Sequence, residues 1–418
     1  MRRALLAVAF IMVALALTTL AVAAPGDLDP SFGRDGLAVV DFRNGGQGFA
    51  AARGDDGTFV IGGHAGMRLA LARLLPGGSP DPTFGGGDGR VTLPLGEGYA
   101  QVNDVLVMDD GRVLVSAFGI RNGQAAFHVL RLRADGGRDR TFSGDGLAVT
   151  AFPDGPATPW GLALQPDGAV VVAGAAGPSA AVVRYLPDGT LDRTFDLDGV
   201  RTFSVGLGSA DAGADVAIGL EGEIVVVGTA DEGSGIFTAR LTPGGALDRT
   251  FGADGWSIAR GLGDDVRGSA VAVRPNGQIV VGGTVTPLGG DCCEMVLVVY
   301  GISGGRIPTF GGGDGIQALR PAGGSSFLSA IALASGGRIV AVGGGGAAER
   351  QDLVVARVGP DGTPDATFGG GDGLAVIQLA GEEAGYGVGL ETDGDVLVGG
   401  TRLTSGRYRF LAARVQGS

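Results

Sequence analysis

Apolar residues in this chain come in short runs, each closed by a cluster of Gly, Asp and Pro. The third cycle of the pattern is the easiest to follow. Residues 160–165 form one apolar run, Pro166-Asp167-Gly168 a turn, 169–173 a second run and 181–186 a third. A second turn, Pro187-Asp188-Gly189, leads into Leu191-Asp192-Arg193-Thr194-Phe195-Asp196-Leu197-Asp198-Gly199 and a fourth run over 200–205. Short runs rich in Val and Ile and bounded by turn residues predict strands, and nothing beyond the first 23 residues has the period of a helix. The second run of each cycle is apolar on both faces, as in 224–227 and 279–281, which predicts burial on both sides.

The cycle recurs along the whole chain. Its phenylalanines are Phe32, Phe84, Phe142, Phe195, Phe251, Phe310 and Phe368, in steps of 52, 58, 53, 56, 59 and 58 residues, a period that signals stacked or radial units. Glycine closes the first turn in all seven cycles, at Gly57, Gly111, Gly168, Gly222, Gly277, Gly337 and Gly394. A hairpin that needs a left-handed residue after a type I turn accounts for this. Five positions before that glycine the first strand carries Ala52, Ala163, Ala217, Ala272, Ala332 and Gly389, with Leu106 as the exception. Small residues there predict the innermost strand of a tapering blade. Seven units of four strands predict an all-β, seven-bladed β-propeller spanning residues 24–418 as a single domain. The mature chain begins with one strand, 37–42, and ends after three, the last over 410–415. The N-terminal strand would therefore complete the C-terminal blade and remove both free edges. A β-solenoid is the competing repeat fold, but its coils are shorter and its ends need caps.

An arginine in the third strand precedes the motif aspartate by eight residues in five units: Arg73 and Asp81, Arg131 and Asp139, Arg184 and Asp192, Arg240 and Asp248, Arg357 and Asp365. Around Phe310 the aspartate is Ile307, and the arginine is lost with it. The coupled loss predicts a partly buried Arg-Asp clamp in each blade, with Arg414 reaching Asp29 across the closure. A second aspartate follows each Phe: Asp35, Asp88, Asp145, Asp198, Asp254, Asp314 and Asp372. Asx-turns explain these residues, while the Asp196-Leu197-Asp198-Gly199 string admits calcium as the alternative. No other cofactor is expected.

The recurring Leu-Asp-x-Thr-Phe-Gly-x-Asp-Gly, with Ala163 to Gly174 reading ALQPDGAVVVAG, resembles the delta-60 repeat of exported bacterial proteins. The resemblance covers the mature chain. It implies a β-propeller, no common enzyme activity and no catalytic residues, and the unit at Ile307 departs from the pattern.

Arg2 and Arg3, an apolar run over 4–22 and the small residues Ala21-Val22-Ala23-Ala24 predict a secretory signal peptide over residues 1–23. An uncleaved anchor is the alternative. No later segment could span a membrane, and the expected location is secreted or cell envelope. Without Arg2 and Arg3 the balance is 29 basic against 44 acidic residues, or −15, which argues against nucleic acid as a partner. The chain has no lysine, which excludes Schiff-base chemistry. The partners expected are a protein or a glycan, and the chain is expected to be a monomer.

Candidate chemistry is sparse. Phe49, Trp160 and Tyr386 hold equivalent places at the start of first strands, with Asn103 in the same column. They are expected to line one mouth of the central channel as a carbohydrate or peptide platform, or else to be core. Asp104 and Asp215 are the best candidates for paired carboxylates, should the protein be an enzyme acting on glycans or small molecules. Cys292 and Cys293 could form a vicinal disulfide, stay as free thiols or bridge to another chain. The string Gly301-Ile302-Ser303-Gly304-Gly305 lies in a turn and lacks the strand-to-helix elbow of a serine hydrolase. Arg53-Gly54-Asp55 reads as turn composition, and the run 343–346 as a flexible loop. The reading that results is an exported, non-catalytic scaffold or binding module, with a propeller enzyme or a calcium-stabilised adhesin as alternatives.

Overall fold

The computed structural model describes residues 23–153, 155–205, 211–230, 233–290, 293–321, 324–346 and 350–418. All but the last residue of the expected signal peptide lies outside them, as does Cys292 and with it any pairing to Cys293. Among the described residues no helix is long and apolar enough to cross a membrane.

Strand β1 (Leu37–Val40) comes first in the chain. Blade 1 holds β2 (Gln47–Arg53), β3 (Phe59–Ala65), β4 (Arg68–Leu74) and β5 (Arg90–Leu93). Blade 2 holds β6 (Gln101–Val107), β7 (Val113–Arg121), β8 (Gln124–Leu132) and β9 (Leu147–Thr150). Blade 3 holds β10 (Ala157–Leu164), β11 (Val170–Ala176), β12 (Ser179–Tyr185) and β13 (Val200–Phe203). Blade 4 holds β14 (Ala212–Ile218), β15 (Ile224–Ala230), β16 (Gly235–Leu241) and β17 (Trp256–Arg260). Blade 5 holds β18 (Asp265–Val273), β19 (Ile279–Thr286), β20 (Glu294–Tyr300) and β21 (Ile316–Leu319). Blade 6 holds β22 (Ser325–Leu333), β23 (Ile339–Gly346), β24 (Asp352–Val358) and β25 (Leu374–Ile377). Blade 7 holds β26 (Glu382–Leu390), β27 (Val396–Thr404) and β28 (Arg407–Val415).

Each blade is an antiparallel four-stranded sheet, and in the seventh the order is β1-β28-β27-β26. Leu37 pairs with Ala413 and Val40 with Phe410, so the N-terminal strand is the outer strand of the last blade. First strands pack side by side in an unbroken circuit from β2 through β6, β10, β14, β18 and β22 to β26 and back to β2. The molecule is a seven-bladed β-propeller. The glycines that close the first turns all have positive φ, from 75° at Gly337 to 98° at Gly394, as a left-handed turn residue requires. Ser335–Gly337 and Gly369–Gly371 form short 3-10 turns.

One expectation fails here. The glycine run 343–346 is not a loop but the end of β23, which pairs with β22 and β24. A Cβ on Gly343 would fall 1.8 Å from the Phe327 carbonyl oxygen, so the glycines allow close backbone approach instead of motion.

The blades are held to one another by the Phe motif. All seven phenylalanines are buried. Six arginines lie over these rings, with guanidinium-to-centroid distances from 4.5 Å for Arg357 over Phe368 to 5.2 Å for Arg414 over Phe32. Each of these arginines also pairs with its motif aspartate. In blade 2, Arg131 Nε donates to Asp139 Oδ2 at 2.7 Å, Nη2 to Thr141 Oγ1 at 2.9 Å, and Nη1 to the Pro187 carbonyl of blade 3 at 2.6 Å. At the closure Arg414 Nε meets Asp29 Oδ2 at 2.6 Å, Nη2 meets Ser31 Oγ at 2.6 Å, and Nη1 reaches the Pro76 carbonyl of blade 1 at 3.2 Å. The residue after the Phe adds a backbone bond to the next blade, as Ser143 N does to the Asp188 carbonyl at 2.6 Å. One guanidinium thus ties its own hairpin, a ring face and the neighbouring blade. Burial alone would raise these carboxyls, but the Thr141 hydroxyl and amide, with Arg131, outweigh it and hold Asp139 down at about 2.

Blade 5 lacks this arginine, and Ile307 joins the apolar core in place of the aspartate. The acceptor in the next blade, the Pro360 carbonyl, is reached instead by Arg274, from the β18–β19 turn. Arg274 Nη2 lies 3.0 Å from that oxygen and 3.4 Å from the Gly337 carbonyl. Arg274 is buried, and burial lowers its pKa. Truncating it leaves both carbonyls without their donor. Arg274→Ala should therefore cost about 1–3 kcal/mol in a denaturation experiment. The same change at the exposed Arg249 should stay within about 0.5 kcal/mol.

Candidate functional site: the mouth of the central channel

In every blade the pairing of the first strand to the second slips by one residue. The extra residues are Phe49, Asn103, Trp160, Ala214, Ser269, Ser329 and Tyr386. A β-bulge turns its unpaired residue out of the ladder, and here all seven line one cavity of about 700 Å³ around the ring axis. The column of Phe49, Asn103, Trp160 and Tyr386 was legible in the sequence. The bulge that aims it was not.

The cavity wall is uneven. Tyr386, Phe49, Asn103 and Trp160 occupy four consecutive blades, 7 through 3, and the other three blades offer only Ala214, Ser269 and Ser329. Aromatic contacts extend the first arc outward. Phe327, Tyr386, Phe49, His64, Tyr99 and Phe118 follow ring to ring at centroid separations of 6.0, 5.4, 5.8, 5.1 and 6.2 Å. Trp160 is 42% exposed, a large apolar face left open to the mouth. A polar string braces the arc. Tyr99 Oη donates to Gln101 Oε1 at 2.6 Å, Gln101 Nε2 to Asn103 Oδ1 at 3.0 Å, and Asn103 Nδ2 to the Pro159 carbonyl at 2.6 Å. Gln101, Tyr99 and His64 carried no sequence signal for this site, because only the packing of blade 2 on blade 1 brings their strand ends together.

Asp104 and Asp215 also line the cavity, one position beyond the bulge in blades 2 and 4. Asp104 accepts from Val105 N at 2.7 Å and from Leu162 N, in blade 3, at 2.8 Å. Asp215 accepts from Val216 N and from Val271 N, in blade 5, both at 2.8 Å. Each carboxylate therefore ties its own strand to the first strand of the next blade. Burial, together with the charge of Asp215, pushes Asp104 up to about 8, and burial pushes Asp215 up to about 7, against the opposing pull of the amide bonds. Gly161 lies between them, where a Cβ would fall 2.6 Å from Asp215 Oδ1.

The remaining candidates lie apart from the channel. Asp198 Oδ1 accepts from Val200 N at 2.9 Å as an Asx-turn, and Asp196 pairs with Arg201 at 3.3 Å. Asp88, Asp145, Asp314 and Asp372 make the same turn, whereas Asp35 and Asp254 have φ of 55° and 60°. His128 is fully buried, its Nδ1 3.0 Å from the Ala126 carbonyl, and burial lowers its pKa. Ser303 lies in the predicted turn and its carbonyl accepts from Gly252 N. Gly54 is buried, so Arg53-Gly54-Asp55 is not a presented tripeptide. Cys293 Sγ is 3.4 Å from Thr286 Oγ1.

A family model described as a domain of unknown function (DUF5122) beta-propeller matches residues 55–84, 109–142, 165–195, 222–251 and 335–368. Each match ends on a motif Phe, and the blade with Ile307 is not among them. No curated protein matches the sequence. Among solved structures, a streptogramin B lyase is 13% identical, with a TM-score of 0.50 over 90% of this chain and 96% of its own. A virginiamycin B lyase from Staphylococcus aureus is 10% identical, with a TM-score of 0.52 over 90% and 98%. At such identities the likeness is one of fold. What the repeats and the coordinates establish together is a protein of the β-propeller repeat class.

Proposed function

We propose that this protein is an exported binding module of the delta-60 repeat type, secreted or held in the cell envelope, which takes a saccharide at the mouth of its channel. The observation that carries this reading is the convergence of seven bulge residues on one cavity, four of them forming an arc of aromatic rings and a braced amide. Flat ring faces stack on sugar rings, and amides such as Asn103 and Gln101 supply the few fixed polar contacts that orient a ligand. The small residues opposite leave room for it. A peptide platform is less well supported, since the first strands, each the inner edge of its own sheet, already pack against one another around the ring and leave little room for an extended chain to add to them.

An enzyme is the second reading, favoured by the raised pKa values of Asp104 and Asp215 in a cavity. Against it, every oxygen of the two carboxylates already accepts a backbone amide, which suits a structural staple between blades. A carboxyl raised in the folded state favours the protonated form, so its contribution is full below the unfolded value and is lost as pH rises through the folded one. Asp104→Asn should therefore flatten the fall in unfolding midpoint between about pH 4 and pH 8. A pH slope identical to that of the parent would contradict the raised pKa on which the enzyme reading leans.

Binding itself is tested with Trp160→Ala on a panel of immobilised oligosaccharides and peptides. Retention of saccharides by the parent and a loss of about 10-fold in affinity in the variant, roughly 1.4 kcal/mol, is the expected result. Saccharide retention equal in both proteins would overturn the assignment.

A further inference from the structure

Beside the channel mouth, at the junction of blades 7 and 1, lies a second cleft of about 480 Å³. Arg43, Asn44 and Gln47 line it from the crossover between β1 and β2, His64 from the end of β3, and Arg407 and Tyr408 from the start of β28. Its other lining residues are glycines, and Gly45, Gly66 and Gly406 have φ of 72°, 60° and 71°, so the loops present bare backbone and leave the cleft open.

The lining is rich in donors. Among the described residues the Arg43 guanidinium and the Asn44 amide make no hydrogen bond or ion pair, and both residues are exposed. Arg407 spends Nη2 on the Phe42 carbonyl at 2.7 Å and shares Asp41 with Arg409, at 3.4 and 3.0 Å. Arg407 and Arg409 thus share one carboxylate, while Arg43 lines the cleft with no ion pair among the described residues, in a chain whose overall formal charge is −13. A local excess of positive charge on an acidic protein concentrates an anion there. Planar guanidinia match the two oxygens of a carboxylate.

The cleft adjoins the site already described. His64, on its wall, stacks on Phe49 with ring planes 23° apart, and Phe49 lines the channel cavity. A ligand lying along the aromatic arc would reach the arginines without crossing a blade.

We propose that this cleft is a carboxylate subsite and that the saccharide recognised by the protein is a uronic-acid oligomer, with sugar rings on the Phe49 and Trp160 arc and a carboxylate between Arg43 and Arg407. The inference rests on the saccharide reading of the channel. It is tested by titrating the full chain with tetragalacturonate and with its methyl ester, a neutral probe of the same shape. The acid should bind about 10-fold tighter than the ester, and Arg43→Glu should remove that difference while leaving ester binding in place. The Arg43 guanidinium has no partner among the described residues, so this variant should melt with the parent. Raising the salt concentration should weaken the acid and spare the ester. Equal affinity for the two probes, with both lost in Trp160→Ala, would overturn the carboxylate subsite and leave the channel reading standing. Failure of the parent to bind either probe, or binding unchanged in Trp160→Ala, would overturn both.

Discussion

A guanidinium lying on a phenyl ring, with one edge on an aspartate and another on the carbonyl of the next blade, is the contact on which this ring depends. Isolated blades of four short strands bury too little apolar surface to stand alone, and the ring exists only if each wedge is fixed to its neighbour. Cation-π contact contributes about 0.5–2 kcal/mol. Breaking a buried pair by removing one partner costs more, about 3–5 kcal/mol, because it strands the other charge. Six such wedges therefore resist any loosening of one blade. Blade 5 meets the same requirement differently, with apolar packing at Ile307 and a donor borrowed from Arg274.

The wedges sit at one end of the molecule and the binding surface at the other, a consequence of strand direction. First strands begin at the channel mouth and end at the turns carrying Gly57 and its equivalents, so the bulges and the Phe motifs fall at opposite ends. The motif end is nearly invariant among the seven blades, because every blade must dock on the next. The mouth is free to differ, with Trp160 in one blade and Ala214 in the next. Between them, Asp104 and Asp215 knit neighbouring first strands by their carboxylates.

Much of this was legible in the sequence because the repeat multiplies each local signal. Seven phenylalanines at a steady spacing gave the blade count, glycine at the first turn gave the hairpins, and the joint loss of arginine and aspartate around Phe310 revealed the clamp before any coordinates did. The Arg414 and Asp29 pair followed from the same rule. What escaped was non-local or one of a kind. Arg274 serves a carbonyl 86 residues away, although it is the one arginine in its column and stands in the unit that lacks the other. The glycines 343–346 have the composition of a loop and the role of a strand. The bulges leave no mark in composition, and the cleft at Arg43 and Arg407 exists only because the two chain ends meet.

That meeting is the point at which the whole account is most exposed. If the N-terminal strand is locked by Arg414, Asp29 and Phe32 as firmly as the wedges lock the other blades, it belongs to the same cooperative unit as the rest of the ring. Hydrogen exchange of the Leu37–Val40 amides is the direct measurement. Protection that matches β27 and β28, and that falls in step with theirs in Asp29→Ala, is the predicted result; exchange of those amides at the rate of an exposed loop while the other blades stay protected would contradict it.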